Sequence, residues 1–347
     1  MEIKKLLTDL CSLMSVVGYE YHDGDKLTEI VSPYFDEHEH DNVGNHIFVK
    51  RCGKADAKRL FIDVHYDEVG LMVKGITDGG HLRVCALGGL DSRILPASEV
   101  VVYGKETMPG IVLMKSAVTM NMRDKDKDRL TPVSELLIDV GLTKEEAMEL
   151  VPIGTPIGFE PVYTELRGGY IAGKGMDDKC CAVPVLAAIS VLDMKALDCD
   201  IYFSLSAREE VGHRAVSAAA FRIRPDAAIV LDVTFGLAPE GRKPDDIDMK
   251  GGPSIALSAL LDKDFTDFVI ETAKKAEIPY QPVVDAVRTG THADELVYAA
   301  GGIPTVLLSV PVWFMHTANE TVAIDGLKYT AKLMAAVIRE KFGRKDG

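Results

Sequence analysis

The chain has 347 residues, 47% of them apolar and only 7% aromatic, which is enough to bury a full core and long enough for two domains. Its 39 Lys+Arg against 53 Asp+Glu give a formal charge of -14, the wrong sign for a phosphate backbone or an anionic membrane, so nucleic acid and lipid are excluded as partners. The six cysteines form no CxxC and no regular framework; they read as small core residues in a reducing compartment, the neighbours Cys180 and Cys181 included.

The opening stretch spaces Leu6, Leu7, Leu10, Leu13 and Met14 along one face of a helix, and its acidic breaks leave no room for a signal segment or a membrane span. A cytoplasmic protein is expected. Two amphipathic helices are predicted over about 2–16 and 23–35, followed by the β-type runs HIFVK and RLFIDVHYDEVG, the second breaking at an acidic, histidine-bearing loop. From about 71 to 164 the texture changes to short β-like pieces, GLMVKGI, HLRVCAL, EVVVYGK and GIVLMK, divided by Gly, Pro and charged turns, with one helix predicted at PVSELLIDVG. Such spacing predicts a small β-barrel or sandwich inserted into the first domain.

After LRGGYIAGKG the alternation returns: a helix over DDKCCAVPVLAAISVLDM, strand DIYFSLS, helix HRAVSAAAF, strands DAAIVLDV and SIALSALL, and helix DFTDFVIETAKKA. Strand PYQPVVD, helix HADELVYAAG, strand TVLLSV and a long helix from Gly326 complete it, with a disordered tail expected at GRKDG. Strands alternating with helices predict an α/β fold, a mixed sheet flanked by helices, formed by residues 1–70 and 165–347, with 71–164 as the β-barrel-like insert. The charge run in VTMNMRDKDKDRLTPV reads as solvated surface or an interface loop of that insert.

In open α/β sheets, sites form outside the carboxyl ends of the strands. His65 and Asp67 follow RLFIDV, Glu209 and Glu210 follow DIYFSLS, Asp232 ends AAIVLD, His316 lies past TVLLSVPVWFM, and Asp177-Asp178 open a helix. Taken singly, His65 reads as a core histidine and Asp177-Asp178 as a helix cap; together they make an N/O-rich site suited to Zn²⁺, Co²⁺ or Mn²⁺. Two metals at such a site need one bridging carboxylate, an imidazole for each and a further carboxylate for each, which leaves acidic residues over. A ligand histidine usually passes its second N–H to a carboxylate, and Asp67 is placed to receive that of His65. If Glu210 turns to the metal and Glu209 to the cleft, the second can serve as the base for a metal-activated water.

These stretches resemble the M42 metallo-aminopeptidases, the glutamyl-aminopeptidase and tetrahedral-aminopeptidase group. HYDEVGLMV, GKGMDDK, REEVGHRA, VLDVT and MHTANE match its motifs in order, and the resemblance spans essentially the whole chain. It implies Asp177 as bridging ligand, His65 and Asp232 on one metal, Glu210 and His316 on the other, Glu209 as general base and Asp67 orienting His65. It also implies an α/β peptidase domain whose inserted barrel-like domain mediates oligomers, from dimers to a hollow dodecamer, and short peptides as substrates.

Two departures bear on specificity. TGTHADEL places His292 where the family often has Asp, with Asp294 two residues on, so both are candidate substrate contacts; alternatively His292 is an exposed loop histidine. Trp313-Phe314 stand where many members carry Arg-Tyr. Lys174, Lys179, Arg208 and Arg288 near the motifs would either favour acidic substrate side chains or simply balance charge. The expected reaction is hydrolysis of the N-terminal residue from peptides. The rivals are a di-metal deacylase or carboxypeptidase on the same ligands, a metal-independent glycosidase, and an inactive assembly protein.

Overall fold

Continuous runs of β-branched and aromatic residues fix the centre of the molecule. In the computed structural model, which describes residues 2–114, 130–237 and 247–344, the runs at Lys58–His65, Cys199–Ser206, Ala227–Phe235 and Thr305–Trp313 are buried along almost their whole length. Burial of both faces is what a parallel sheet requires, because neither face is left to alternate with water.

Among the described residues the strands are β1 (Glu37–His40), β2 (His46–Lys50), β3 (Lys58–His65), β4 (Gly70–Ile76), β5 (Leu82–Leu87) and β6 (Glu99–Tyr103). They continue with β7 (Thr107–Leu113), β8 (Leu137–Asp139), β9 (Pro156–Phe159), β10 (Thr164–Leu166), β11 (Tyr170–Gly173) and β12 (Cys199–Ser206). The last are β13 (Ala227–Phe235), β14 (Ser254–Ser258), β15 (Gln281–Asp285), β16 (Thr305–Trp313) and β17 (Glu320–Ala323). An 11-stranded mixed sheet runs β1-β2-β12-β3-β13-β16-β17-β11-β10, with β14 and β15 branching from β16, and β4 to β9 close into a separate barrel. The parallel centre is β12-β3-β13-β16, in a register that sets Ser206 beside His65 and Asp232 beside Ser309. Three strand ends therefore deliver polar residues to one edge.

Alternate side chains of these strands feed two cores. Ile62, Val64, Phe203 and Leu231 pack with the helices Ile3–Ser12, Met176–Ile189 and Ile324–Phe342; Phe61, Ala228, Val230 and Leu307 pack with Val216–Ile223 and Ala293–Leu296 on the other face. A third core, built on Val73, Val84, Val102 and Ile138, fills the barrel. None of the described helices is long and apolar enough to cross a membrane.

The structure corrects several sequence expectations. PVSELLIDVG is not helical: Val133–Glu135 make a single 3-10 turn and Leu137–Asp139 form β8, where Ile138 enters the barrel core. The helix begins one turn later, at Lys144–Leu150, where Thr143 and Glu146 cap each other's backbone reciprocally. HADELVYAAG forms only the short helix Ala293–Leu296 and a 3-10 turn at Ala299–Gly301. Of the GRKDG tail, the Arg344 N–H donates to Ala196 O at 2.8 Å, and the last three residues lie outside the described ones, as does most of the charge run.

Lys174 and Lys179 are buried, each only 1% exposed. Both are buried on Glu68, with Lys174 Nζ 2.7 and 2.9 Å from its two oxygens and Lys179 Nζ 3.1 Å from one, and both ammoniums also donate to Leu13 O at 3.0 Å. Burial pulls Lys174 down to about 8, while the two ammoniums, against burial, hold Glu68 below the usual carboxylate range. Glu68→Ala leaves two buried cations without a counter-charge and is expected to destabilise the protein by about 3–5 kcal/mol in urea unfolding at neutral pH. A loss below about 1 kcal/mol would show the cluster to be solvated.

Candidate metal centre

β3 ends on His65, whose imidazole is 2% exposed. Its Nδ1 faces the main-chain oxygen of Asp67 at 3.0 Å, so the proton sits on Nδ1, and Nε2 turns to Asp177 Oδ1 at 2.9 Å and Asp232 Oδ1 at 3.9 Å. The second N–H of His65 thus goes to a carbonyl rather than to the Asp67 carboxylate, which lies 3.7 Å away. That carboxylate is engaged elsewhere, its two oxygens accepting the main-chain N–H groups of Glu209 and Glu210 at 2.9 and 3.0 Å.

This clamp explains how neighbouring glutamates serve different places. Arg208 takes a left-handed turn at φ 61, and Glu209–Val211 form a 3-10 turn that splays the two side chains. Glu210 Oε2 lies 3.3 Å from His316 Nε2, whereas Glu209 Oε1 lies 2.9 Å from His213 Nε2.

Asp177 sits between two imidazoles. One oxygen faces His65 Nε2 at 2.9 Å and the other faces His316 Nε2 at 3.2 Å. His316, at φ 63, has its Nδ1 2.7 Å from Gly89 O, which again leaves Nε2 pointing inward. Glu320 ties the two together from behind, accepting the main-chain N–H of Asp177 at 3.0 Å and of His316 at 2.7 Å. Asp178 accepts the His65 main-chain N–H at 3.3 Å through one oxygen, and the left-handed backbone at Arg208 and His316 is the kind of departure that surrounding structure must impose.

The electrostatics are those of crowded carboxylates. Burial alone would depress His65, but its hydrogen bond to Asp177 and the charges of Glu209 and Asp232 hold it well above the ordinary imidazole range. Burial, then the charge of Asp177, pushes Glu210 up to about 7 against the hydrogen bond from His316, and the same two causes raise Glu320 to about 8. Burial likewise raises Asp178 and Asp232, whereas the His213 hydrogen bond overcomes burial to keep Glu209 below its ordinary value.

Two groups of ligand atoms each lie within 4.8 Å of one another: His65, Asp177 and Glu210, and His65, Asp178 and Asp232. Two buried carboxylate oxygens here, Asp178 Oδ1 and Glu210 Oε1, have no hydrogen-bond partner among the described residues. Unpaired buried oxygens among so many carboxylates fit divalent cations, one beside each, which would satisfy them. All five sequence-predicted ligands and Glu209 line one cleft of about 520 Å³.

The two candidate substrate contacts are placed differently. His292 is 1% exposed, neither in the cleft nor on a loop surface, with Nδ1 2.7 Å from Asp63 Oδ2. Asp294 is buried, and its oxygens accept from Thr289 N and Oγ1 and from Gly290 N, so it shapes the loop that lines the cleft rather than lining it. Trp313 stacks on Tyr170, and its ring N–H goes to Leu237 O. The sequence places Asp178 among the candidate acidic groups without assigning it to a metal and does not single out His213 or Glu320, although these two lie four residues beyond Glu209 and His316, the spacing that could have found them.

The chain matches the M42 glutamyl aminopeptidase family over residues 44–333. It is 30% identical to lysyl aminopeptidase of Pyrococcus furiosus over 97% of this chain and 96% of that protein. Among solved structures it resembles a TET aminopeptidase from the archaeon Thaumarchaeota archaeon SCGC AB-539-E09, with TM-score 0.88 and 27% identity over 97% and 96% of the two chains. The TET1 peptidase of Pyrococcus horikoshii, which can assemble into a tetrahedron or a large octahedral shell, gives TM-score 0.83 and 27% identity over 97% and 99%. The fold and the sequence thus define a hydrolase acting on peptide bonds. The chain belongs to the M42 peptidase family.

Because Glu320 fixes the backbone of both Asp177 and His316, Glu320→Ala is expected to weaken divalent-metal affinity by about 10- to 100-fold in chelator competition while the protein remains folded by circular dichroism. Unchanged affinity would confine Glu320 to a packing role.

Proposed function

We propose that the protein is an aminopeptidase working with two divalent cations, Zn²⁺ or Co²⁺ in the first place and Mn²⁺ in the second. The observation that carries this reading is Asp177, whose two oxygens face different imidazoles 2.9 and 3.2 Å away. His65, Asp177 and Asp232, with Asp178 beside them, would hold one ion, and Asp177, Glu210 and His316 the other. When bound, such a pair supplies Lewis acidity: it lowers the pKa of water toward 7 and polarises the scissile carbonyl.

The remaining steps fall to side chains. Glu209, held ionised by His213, accepts a proton from the attacking water as oxygen bonds to the carbonyl carbon. It returns that proton to the amide nitrogen as the C–N bond breaks, releasing the N-terminal residue and a shortened peptide with a free amine. Asp67 is a positioning residue: it fixes the main chain of both glutamates and, through its carbonyl, the tautomer of His65. Glu209, which lines the cleft and is kept, against burial, below its ordinary value by His213, leaves negative charge there for a free α-amine, which supports short peptides with unblocked N-termini as substrates.

We further propose that residues 71–164 form an inserted oligomerisation domain on a peptidase domain of residues 1–70 and 165–347. The closed barrel of β4 to β9 supports the division, and the shells of the P. horikoshii relative support a homo-oligomer. The six free cysteines fit a reducing cytoplasm.

Glu209→Gln is expected to retain bound metal and lose about 10²- to 10⁴-fold in kcat on aminoacyl-anilides. A variant turning over at near-normal rate would remove Glu209 from the reaction. Activity on free but not on amino-acetylated anilides, lost with a chelator and restored by metal, is the expected profile of the wild type. Hydrolysis of the acetylated compounds instead would make the protein a deacylase.

A further inference from the structure

Glutamyl and lysyl aminopeptidases ask opposite charges of the pocket that receives the N-terminal side chain, and the cleft distinguishes them. Among the described residues that line it, no lysine or arginine appears; its basic groups are the imidazoles His65, His213 and His316. The cations that the sequence places nearby are not among the lining residues. Lys174 and Lys179 are sealed on Glu68. The Arg288 guanidinium, 69% exposed, lies 3.7 Å from Asp294 and 3.9 Å from Glu295, and the exposed Arg208 does not line the cleft.

Asp285, the last residue of β15, does line the cleft, and it belongs to neither group of metal-ligating atoms. No hydrogen bond or ion pair engages its carboxylate among the described residues. Burial, then the charge of Asp294, raises its pKa, and a cation arriving beside it would offset both by favouring the charged form. The same cleft presents apolar surface from Phe235, Val233 and Met315. Apolar walls with a carboxylate suit a side chain that has a hydrocarbon stem and a charged head. An acidic side chain in the same place would meet Asp285 with no lysine or arginine among the described lining residues to offset it.

We infer that Asp285 is the specificity-determining residue of the cleft, and that the enzyme prefers a cationic N-terminal side chain, lysine or arginine, to an acidic one. The inference rests on the aminopeptidase reading and deepens it by naming the substrate class.

The test is kcat/KM of the metal-reconstituted wild type and of Asp285→Asn and Asp285→Lys on free lysyl-, arginyl-, leucyl- and glutamyl-anilides, with competitive inhibition by free L-lysine as a second readout. The wild type is expected to favour lysyl and arginyl over glutamyl substrates by about tenfold or more. Asp285→Asn, which keeps the shape and removes the charge, is expected to lower the lysyl-to-leucyl ratio about tenfold and to weaken L-lysine inhibition in parallel, and Asp285→Lys to favour glutamyl over lysyl. Faster hydrolysis of glutamyl than of lysyl substrate by the wild type would overturn the inference. So would an equal loss on lysyl and leucyl substrates in Asp285→Asn, which would put the carboxylate on the shared α-amine or on the fold. Should Asp285→Lys fail to fold, the near-isosteric Asp285→Asn and the wild-type ratios decide. Hydrolysis of none of the four by metal-loaded protein would overturn the aminopeptidase reading itself, whereas leucyl hydrolysis without a cationic preference would overturn the inference alone.

Discussion

A single buried carboxylate shared between two imidazoles organises this molecule. Asp177 faces His65 with one oxygen and His316 with the other, and residues from both ends of the chain must be delivered to within about a hydrogen-bond length of it. His65 is fixed by the end of β3, His316 by a left-handed turn after β16, and Asp177 by the start of a helix beneath them. Each imidazole has its outer nitrogen against a carbonyl, Asp67 O or Gly89 O, so that both inner nitrogens point at the same place. Such convergence concentrates negative charge and lone pairs where burial makes them costly. Two oxygens, Asp178 Oδ1 and Glu210 Oε1, remain without a hydrogen-bond partner among the described residues. A fold would not assemble this arrangement for stability, and divalent cations are the simplest group that completes it.

The surrounding structure absorbs the cost in separate devices. Glu68 with Lys174 and Lys179 anchors the glycine-rich turn ahead of Asp177 to the segment after the first helix, through Leu13 and Ser15. Glu320 clamps the backbone of Asp177 and His316, and Asp67 clamps that of Glu209 and Glu210. The two glutamates at the end of β12 are thereby held by one aspartate yet aimed at different partners, which divides a place for metal from a place for the proton. Behind them Asp63 holds His292, so a histidine close to His65 and His213 stays out of the cleft.

Much of this is legible in the sequence for a physical reason. Parallel strands buried on both faces read as unbroken apolar runs, and the polar residues that follow them must emerge at one edge, so His65, Glu209, Glu210 and Asp232 can be placed together from their positions in the chain. What cannot be read depends on partners far away in the sequence. His292 reads as a substrate contact or a loop residue until Asp63, 229 positions earlier, receives it, and Lys174 and Lys179 read as substrate contacts or as charge balance until Glu68 claims them. The stretch PVSELLIDVG has no strong preference of its own; the barrel takes Ile138 as core, and the capping pair Thr143 and Glu146 starts the helix after it. The short strands β10, β11 and β17 carry too few residues to show a period.

Whether Asp177 bridges two ions is the point on which the proposed chemistry stands or falls. Anomalous diffraction from crystals of the protein grown with Zn²⁺ or Co²⁺, recorded on both sides of the metal's absorption edge, tests this most directly. The expected result is two peaks per chain about 3.5–4 Å apart, one on the side of His65 and Asp232, the other on the side of Glu210 and His316, each within ligand distance of Asp177. One peak, or two that leave Asp177 uncoordinated, would contradict it.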